Sequence, residues 1–414
     1  MKISIDPVMA SRIKQAWAKL SAAQQKAITP MLLNAHQQAV TASQNKVAPR
    51  PDPSVNHNLL LAHAALTGDR DGVVNNLEAG VVVDVDSGGQ IWGTGKYQQL
   101  DPGWAEAAAV WLENVFKGKH AFPNNPPTIT IPDAVQIALA GDWGTGDWRS
   151  AADPSPSTDV CRHMAFLQPH ITFHLGDVYY AGTSEQEQHL LVNLWPIGSI
   201  GSLTLNSNHE MYSGGTPYFD VALADPLFAL QQKSSFFALE NANWVIVGLD
   251  SAYYASEAGM YLEGSLGDDG VQLGFLRTQV AKGKKVIVLT HHNGLEEDGS
   301  PLSDPFNLWD QVMSAFPAGA GPACWYWGHV HAGVVYKQTA TTGQTLCRCC
   351  GHGALPWGQA SELANNPNVV WYENRPANDP DIPQRVLNGF AMLYLDGPKI
   401  DEVFYDENGG VAWP

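Results

Sequence analysis

Residues 171–180 read Ile171-Thr172-Phe173-His174-Leu175-Gly176-Asp177-Val178-Tyr179-Tyr180, a short apolar run that stops at a glycine and a carboxylate. A run of this length bounded by turn residues predicts a buried strand with a loop at its carboxyl end. The pattern recurs. Ala134–Ala140 runs into Gly141-Asp142, Ile200–Leu205 into Asn206-Ser207-Asn208-His209, Val286–Thr290 into His291-His292, and Cys324–Trp327 into Gly328-His329. Helical patterns fall between these runs at Asp159–Leu167, Ser184–Leu194, Gly270–Ala281 and Asp304–Ala315, while Gly389–Leu395 and Ile400–Tyr405 read as an antiparallel pair. The fold class expected is α/β (α+β). Ligands in such sheets sit beyond the carboxyl ends of the strands, so the five endings are expected to converge on one crevice.

Toward the N-terminus the chain has a different rhythm. Val8–Leu20 and Ala22–Val40 space apolar residues three and four apart, with Ser21 as a candidate N-cap between them. Val47–Pro53 reads as a connector, Val81–Val85 with Gln90–Trp92 as a small hairpin, and Asp101-Pro102 as the opening of a helix through Ala105–Phe116. Proline and asparagine crowd residues 122–128, which divides a mainly helical region, 1–127, from a region of strands, 128–414. The helical region offers no motif that names a role or a protein partner.

The 414 residues, 44% hydrophobic and 15% charged, suffice for a large core, and 39 glycines with 27 prolines suit a loop-rich fold. A formal net charge of -18 argues against nucleic acid as a partner. A phosphate ester would need local positive charge, which bound metal ions supply. No apolar run is long enough for a membrane span or a signal peptide, so the expectation is a soluble protein, cytoplasmic or exported without a recognisable signal. The five cysteines, Cys161, Cys324, Cys347, Cys349 and Cys350, are odd in number and crowded, which fits a reducing compartment better than a disulfide framework.

The strand endings collect Asp142, Asp177, Asn208, His291, His329 and His331, all oxygen or nitrogen donors. Carboxylate, imidazole and amide oxygen together suit iron, manganese or zinc. A carboxylate shared by two such ions, about 3.5–4 Å apart, can clamp the attacking and leaving oxygens of a phosphoryl group.

In order, Gly141-Asp142-Trp143-Gly144, Gly176-Asp177-Val178-Tyr179-Tyr180, Asn208-His209-Glu210, His291 and Gly328-His329-Val330-His331 resemble the five motifs of the calcineurin-like metallophosphoesterases. The resemblance spans residues 141–331 and implies a β-sandwich flanked by helices. Many relatives carry Asp-x-His in the first motif, where this chain has Gly144; in the purple acid phosphatase branch a tyrosine three residues after the bridging aspartate replaces that ligand, the position of Tyr180. By this likeness Asp142, Asp177, Tyr180 and His331 would hold one ion, iron, and Asp177, Asn208, His291 and His329 a second, iron, zinc or manganese. Asp177, Asn208 and His209 would be catalytic, with His209 protonating the leaving alkoxide, a role worth roughly 10²–10⁴ in rate. His292 and His352 are candidates for contacting substrate phosphate. Ser207 stands where the family usually has glycine, and Ala332-Gly333 follow the last motif where purple enzymes often carry an aromatic and an acidic residue.

The implied activity is hydrolysis of a small phosphate ester by a metal-activated hydroxide. Phosphomonoesterase leads, a phosphodiesterase acting on a cyclic nucleotide or other small diester is the alternative, and a non-catalytic binding protein on the same fold stands third. Two other patterns have plainer readings. Cys347-Arg348-Cys349-Cys350-Gly351-His352 is spaced too tightly for a structural zinc site and reads as a strand. Asp84-Val85-Asp86-Ser87-Gly88 lacks the acid that closes a calcium loop and reads as a turn.

Overall fold

The structure, a computed structural model, describes residues 5–44, 56–68, 84–268, 270–302 and 307–414. The connector at 47–53, residues 81–83 of the expected hairpin and the start of the helix expected at 304 lie outside the described residues.

After a short hairpin of β1 (Asp84–Val85) and β2 (Ile91–Trp92), fourteen strands build two mixed sheets. They are β3 (Thr128–Thr130), β4 (Ala134–Ala140), β5 (Ile171–His174), β6 (Gly201–Thr204), β7 (Phe237–Glu240), β8 (Trp244–Gly248) and β9 (Lys285–Thr290). There follow β10 (Cys324–Trp327), β11 (Gly333–Tyr336), β12 (Leu346–Cys350), β13 (Val369–Tyr372), β14 (Gly389–Asp396), β15 (Lys399–Asp406) and β16 (Val411–Trp413). One sheet runs β13-β11-β12-β10-β9-β8-β7-β3 and the other β16-β15-β14-β4-β5-β6. The sandwich implied by the motif series is present.

Side chains of a strand alternate between faces, and both faces of these sheets are covered. Val135, Ile137 and Leu139 of β4 meet Ile287 and Leu289 of β9 between the sheets. Ala138 and Ala140 turn outward onto Val160 and Met164 of the helix Pro156–Phe166. Val286 and Val288 turn outward onto Leu276 of the helix Val271–Val280 and Leu308 and Val312 of the helix Leu308–Met313.

Register places the functional ends level with one another. Ala140 pairs with His174 and His174 with Thr204 in one sheet, while Thr290 pairs with Trp327 and Trp327 with Cys349 in the other, all in parallel ladders. The sheets are joined at that end by Gly141 N–H donating to the Cys350 carbonyl at 2.9 Å.

The N-terminal helices α1 (Pro7–Lys19), α2 (Ala22–Gln44), α3 (His57–Thr67) and α4 (Trp104–Asn114) pack over this same end. Ser21 and Gln24 form a reciprocal cap between α1 and α2, at 2.8 and 3.3 Å, worth about 1 kcal/mol. Helix α4 buries nearly its whole circumference, as a helix apolar on all sides must, and four fully buried alanines let its neighbours approach closely. Its core takes in Tyr179, Tyr180, Met211, Tyr212, Tyr261 and Leu355 from the sandwich. Residues on either side of position 127 therefore share one apolar core. All five cysteines are free, and Leu346–Cys350 is the strand expected of the cysteine cluster. Among the described residues no helix is long and apolar enough to cross a membrane.

Candidate metal centre

Each of the five strands delivers its donors in the first residues beyond its end, where the backbone must turn sharply. Asp142, Asp177 and His329 all sit at positive φ, 57°, 79° and 65°, a conformation side chains other than glycine rarely adopt. Such strain concentrates where a site dictates geometry. Two glycines make room. A Cβ on Gly176 would lie 2.7 Å from Nδ1 of His291, and one on Gly328 would lie 2.6 Å from Oδ2 of Asp142.

The structure brings Asp142, Asp177, Asn208, His291, His329 and His331 together. Nε2 of His291 lies 2.9 Å from Oδ1 of Asn208, 3.3 Å from Oδ1 of Asp177 and 3.3 Å from Nδ1 of His329. Nε2 of His331 lies 3.3 Å from Oδ1 of Asp142. Donor atoms of Asp142, Asp177 and His291 all fall within 4.8 Å of one another. Asp177 faces both groups of ligands, as a bridging carboxylate must.

The imidazoles are held in the form a metal requires. Nδ1 of His291 is 2.9 Å from the Leu175 carbonyl, which only accepts, so the ring donates there and its Nε2 lone pair faces the cluster. Burial pushes His291 and His329 below the usual imidazole range and His331 down to about 3, leaving them neutral at physiological pH. Burial also raises Asp142 well above the carboxylate range, and the charge on Asp177 adds to this. Asp177 stays well below that range despite its own burial because His209 and His291 stand beside it. Two buried carboxylates at such close quarters need a proton or a cation between them. The donor set fits two metal ions.

Three expected positions fall differently. Tyr180 directs its hydroxyl away from the cluster, onto Asp101, and packs against Tyr97 and Trp104. Its neighbour Tyr179 takes the inner place, with its hydroxyl 2.8 Å from Oδ2 of Asp177, 3.3 Å from Oδ1 of Asp142 and 3.2 Å from Nε2 of His331. His292 is buried with both ring nitrogens engaged, Nε2 donating to the Tyr261 carbonyl and Nδ1 accepting from Ser251, each at 2.8 Å, so substrate phosphate has no nitrogen to meet. His352 is buried against Phe404, beside a cavity of about 10 Å³ behind His331, and does not line the cleft.

His209 does reach the cleft. Its Nδ1 donates to the Tyr180 carbonyl at 2.7 Å and its Nε2 lies 3.8 Å from Oδ2 of Asp177, in a ring of Trp104, Tyr179 and Tyr212. Sequence reasoning missed the support beneath these groups. The Ser207 hydroxyl bridges Asp177 and Glu210, and burial raises Glu210 well above the carboxylate range, so a neutral Glu210 donates to Ser207 and Ser207 to Asp177. Ser207 thereby holds the Asp177 carboxylate where a glycine could not. The Tyr212 hydroxyl accepts from Nδ2 of Asn208 at 3.1 Å and turns the amide oxygen toward His291. The signal for Glu210 was its place in Asn208-His209-Glu210; nothing local marked Tyr212.

No protein-family model matches this chain, and no curated protein does. Among solved structures the chain is similar to a dimetal phosphatase from Danio rerio, at 13% identity and a TM-score of 0.41, covering 66% of this chain and 95% of that one. It is also similar to a protein assigned as a 5′-nucleotidase from Staphylococcus aureus, in complex with α-ketoglutarate, at 12% identity and a TM-score of 0.35, covering 68% of this chain and 53% of that one.

Proposed function

We propose that this chain is a calcineurin-like metallophosphoesterase that hydrolyses small phosphomonoesters. The observation that carries the reading is the convergence of six nitrogen and oxygen donors from five strand endings, of which Asp177, Asn208, His329 and His331, with His209 beside them, line a cleft of about 390 Å³. Asp142, Asp177, His331 and the Tyr179 hydroxyl would hold one ion, and Asp177, Asn208, His291 and His329 the other. Ions bound there supply Lewis-acid charge for the phosphoryl oxygens and a nucleophile near neutral pH.

The remaining work belongs to the chain. Ser207 and Glu210 fix the bridging carboxylate, the Leu175 carbonyl fixes the His291 ring, and Tyr212 orients the Asn208 amide. With Nδ1 tied to the Tyr180 carbonyl, His209 in its protonated form presents Nε2–H to the leaving-group oxygen. The purple-type variant would require the Tyr179 hydroxyl, which stands beside Asp142 and His331, to give up its proton to a bound ion, and the phenolate so formed would be a hard donor that favours a trivalent ion. We assign that phenolate to Tyr179 and the ion beside it to iron, with iron, zinc or manganese as its companion.

The test is hydrolysis of p-nitrophenyl phosphate and bis(p-nitrophenyl) phosphate after loading with iron, zinc or manganese. Monoester turnover exceeding diester turnover is expected, with a loss of roughly 10²–10⁴-fold in His209→Ala. Faster diester turnover would make the enzyme a phosphodiesterase; turnover of neither ester contradicts the reading. A tyrosinate-to-iron absorption band should vanish in Tyr179→Phe and persist in Tyr180→Phe.

A further inference from the structure

The floor of the cleft belongs to the sandwich, but much of its wall does not. Asn56 and Asn58 at the start of α3, Gln90 and Gln99 flanking the β2 hairpin, and Trp104 at the start of α4 line it, and Trp357 faces them from the sandwich. No lysine or arginine is among the described residues lining the cleft, and Glu297 adds a carboxyl there. This chemistry excludes several leaving groups. A polyphosphate or an acidic phosphopeptide would meet no cation from the chain, and a lipid chain would bury the side-chain amides of Gln90 and Gln99 against hydrocarbon. Amides instead pair with hydroxyl groups, donating and accepting at once, and indole rings cover the apolar face of a sugar.

We infer that the N-terminal region is the specificity wall of the site, with Asn58, Gln90 and Gln99 reading the hydroxyls of a polyhydroxylated leaving group between Trp104 and Trp357. The inference rests on the phosphomonoesterase reading. Two further observations support it. Oδ1 of Asn58 is buried without a hydrogen-bond partner, while the Asn58 amide group reaches the Tyr212 hydroxyl, so the wall is anchored to the support of Asn208 and keeps an acceptor spare. The hairpin bearing Gln90 is pinned over the cleft by Trp357 Nε1 donating to the Gly88 carbonyl at 2.8 Å and Gly358 N–H to the Gly89 carbonyl at 2.7 Å. Two sources share the ligand chemistry, the ribose of a nucleoside 5′-monophosphate and the ring of a hexose 6-phosphate.

Calorimetric binding to the metal-loaded full chain separates the possibilities, with inorganic phosphate, methyl phosphate, hexose 6-phosphate and a nucleoside 5′-monophosphate as probes under conditions too cold for turnover. At least one hydroxyl-bearing ester is expected to bind about 10-fold or more tightly than methyl phosphate, the gain from two or so added hydrogen bonds. The ester with the larger ratio identifies the source. In Gln90→Leu/Gln99→Leu that ratio should fall toward one, and Gln99→Glu, which keeps the shape and loses the donor, should lower it as well. Phosphate binding with equal affinity for all esters overturns the wall alone. Failure to bind inorganic phosphate overturns the phosphoesterase reading beneath it.

Discussion

The corner where the strands end and the helical wall above it are built on opposite plans. In the corner each donor is placed by short-range rules: a strand in register, in most cases a glycine or a positive φ, and a side chain one to four residues beyond the strand end. In the wall, residues from α3, the β2 hairpin and α4 meet only because distant segments pack, as when Trp357 fastens on Gly88 across the chain. Short motifs thus suffice to place the donors of the corner, whereas the wall takes its form only from the packing of the whole molecule.

Removing the bridging charge should have the largest effect. Asp177→Asn is expected to lose both ions and at least about 10³-fold in activity, since several kcal/mol of charge stabilisation go with them. Retention of two ions per chain would move the bridge to another residue. Tyr212→Phe probes the join between the two regions, because its hydroxyl meets Asn208 on one side and Asn58 on the other. Affinity for one of the two ions should fall roughly 10-fold in chelator competition, the effect of losing a group that orients a ligand. An unaltered affinity would separate the wall from the corner. Arg12→Ala should matter least. Its paired contacts with Glu113, at 2.6 and 2.7 Å, tie α1 to α4 but are partly exposed, so about 1 kcal/mol or less of stability is expected by calorimetric melting, with metal content intact. Loss of the ions in that variant would mean that the corner depends on the wall to fold.

The same contrast explains what could be read before the structure. All five strand endings are visible because an apolar run closed by Gly-Asp, Asn-His, His-His or Gly-His is a local pattern, and the structure places all five at one end of the sandwich. The β7–β8 hairpin also carries a local signal, Asn241-Ala242-Asn243 between two apolar runs. The tyrosines were harder. Counting from Asp177 selects Tyr180, but which of two adjacent rings turns inward is decided by Asp101, Tyr97 and Trp104, far away in the chain. His292 and His352 were misplaced for the same reason, since Tyr261, Ser251 and Phe404 enclose them only in the fold.

The most direct test of the centre is the metal content of the purified, reconstituted full chain, measured by elemental analysis beside the Asp177→Asn variant. Two ions per chain in the first and none in the second are the predicted result. A parent chain that binds no stoichiometric metal after reconstitution would contradict the account.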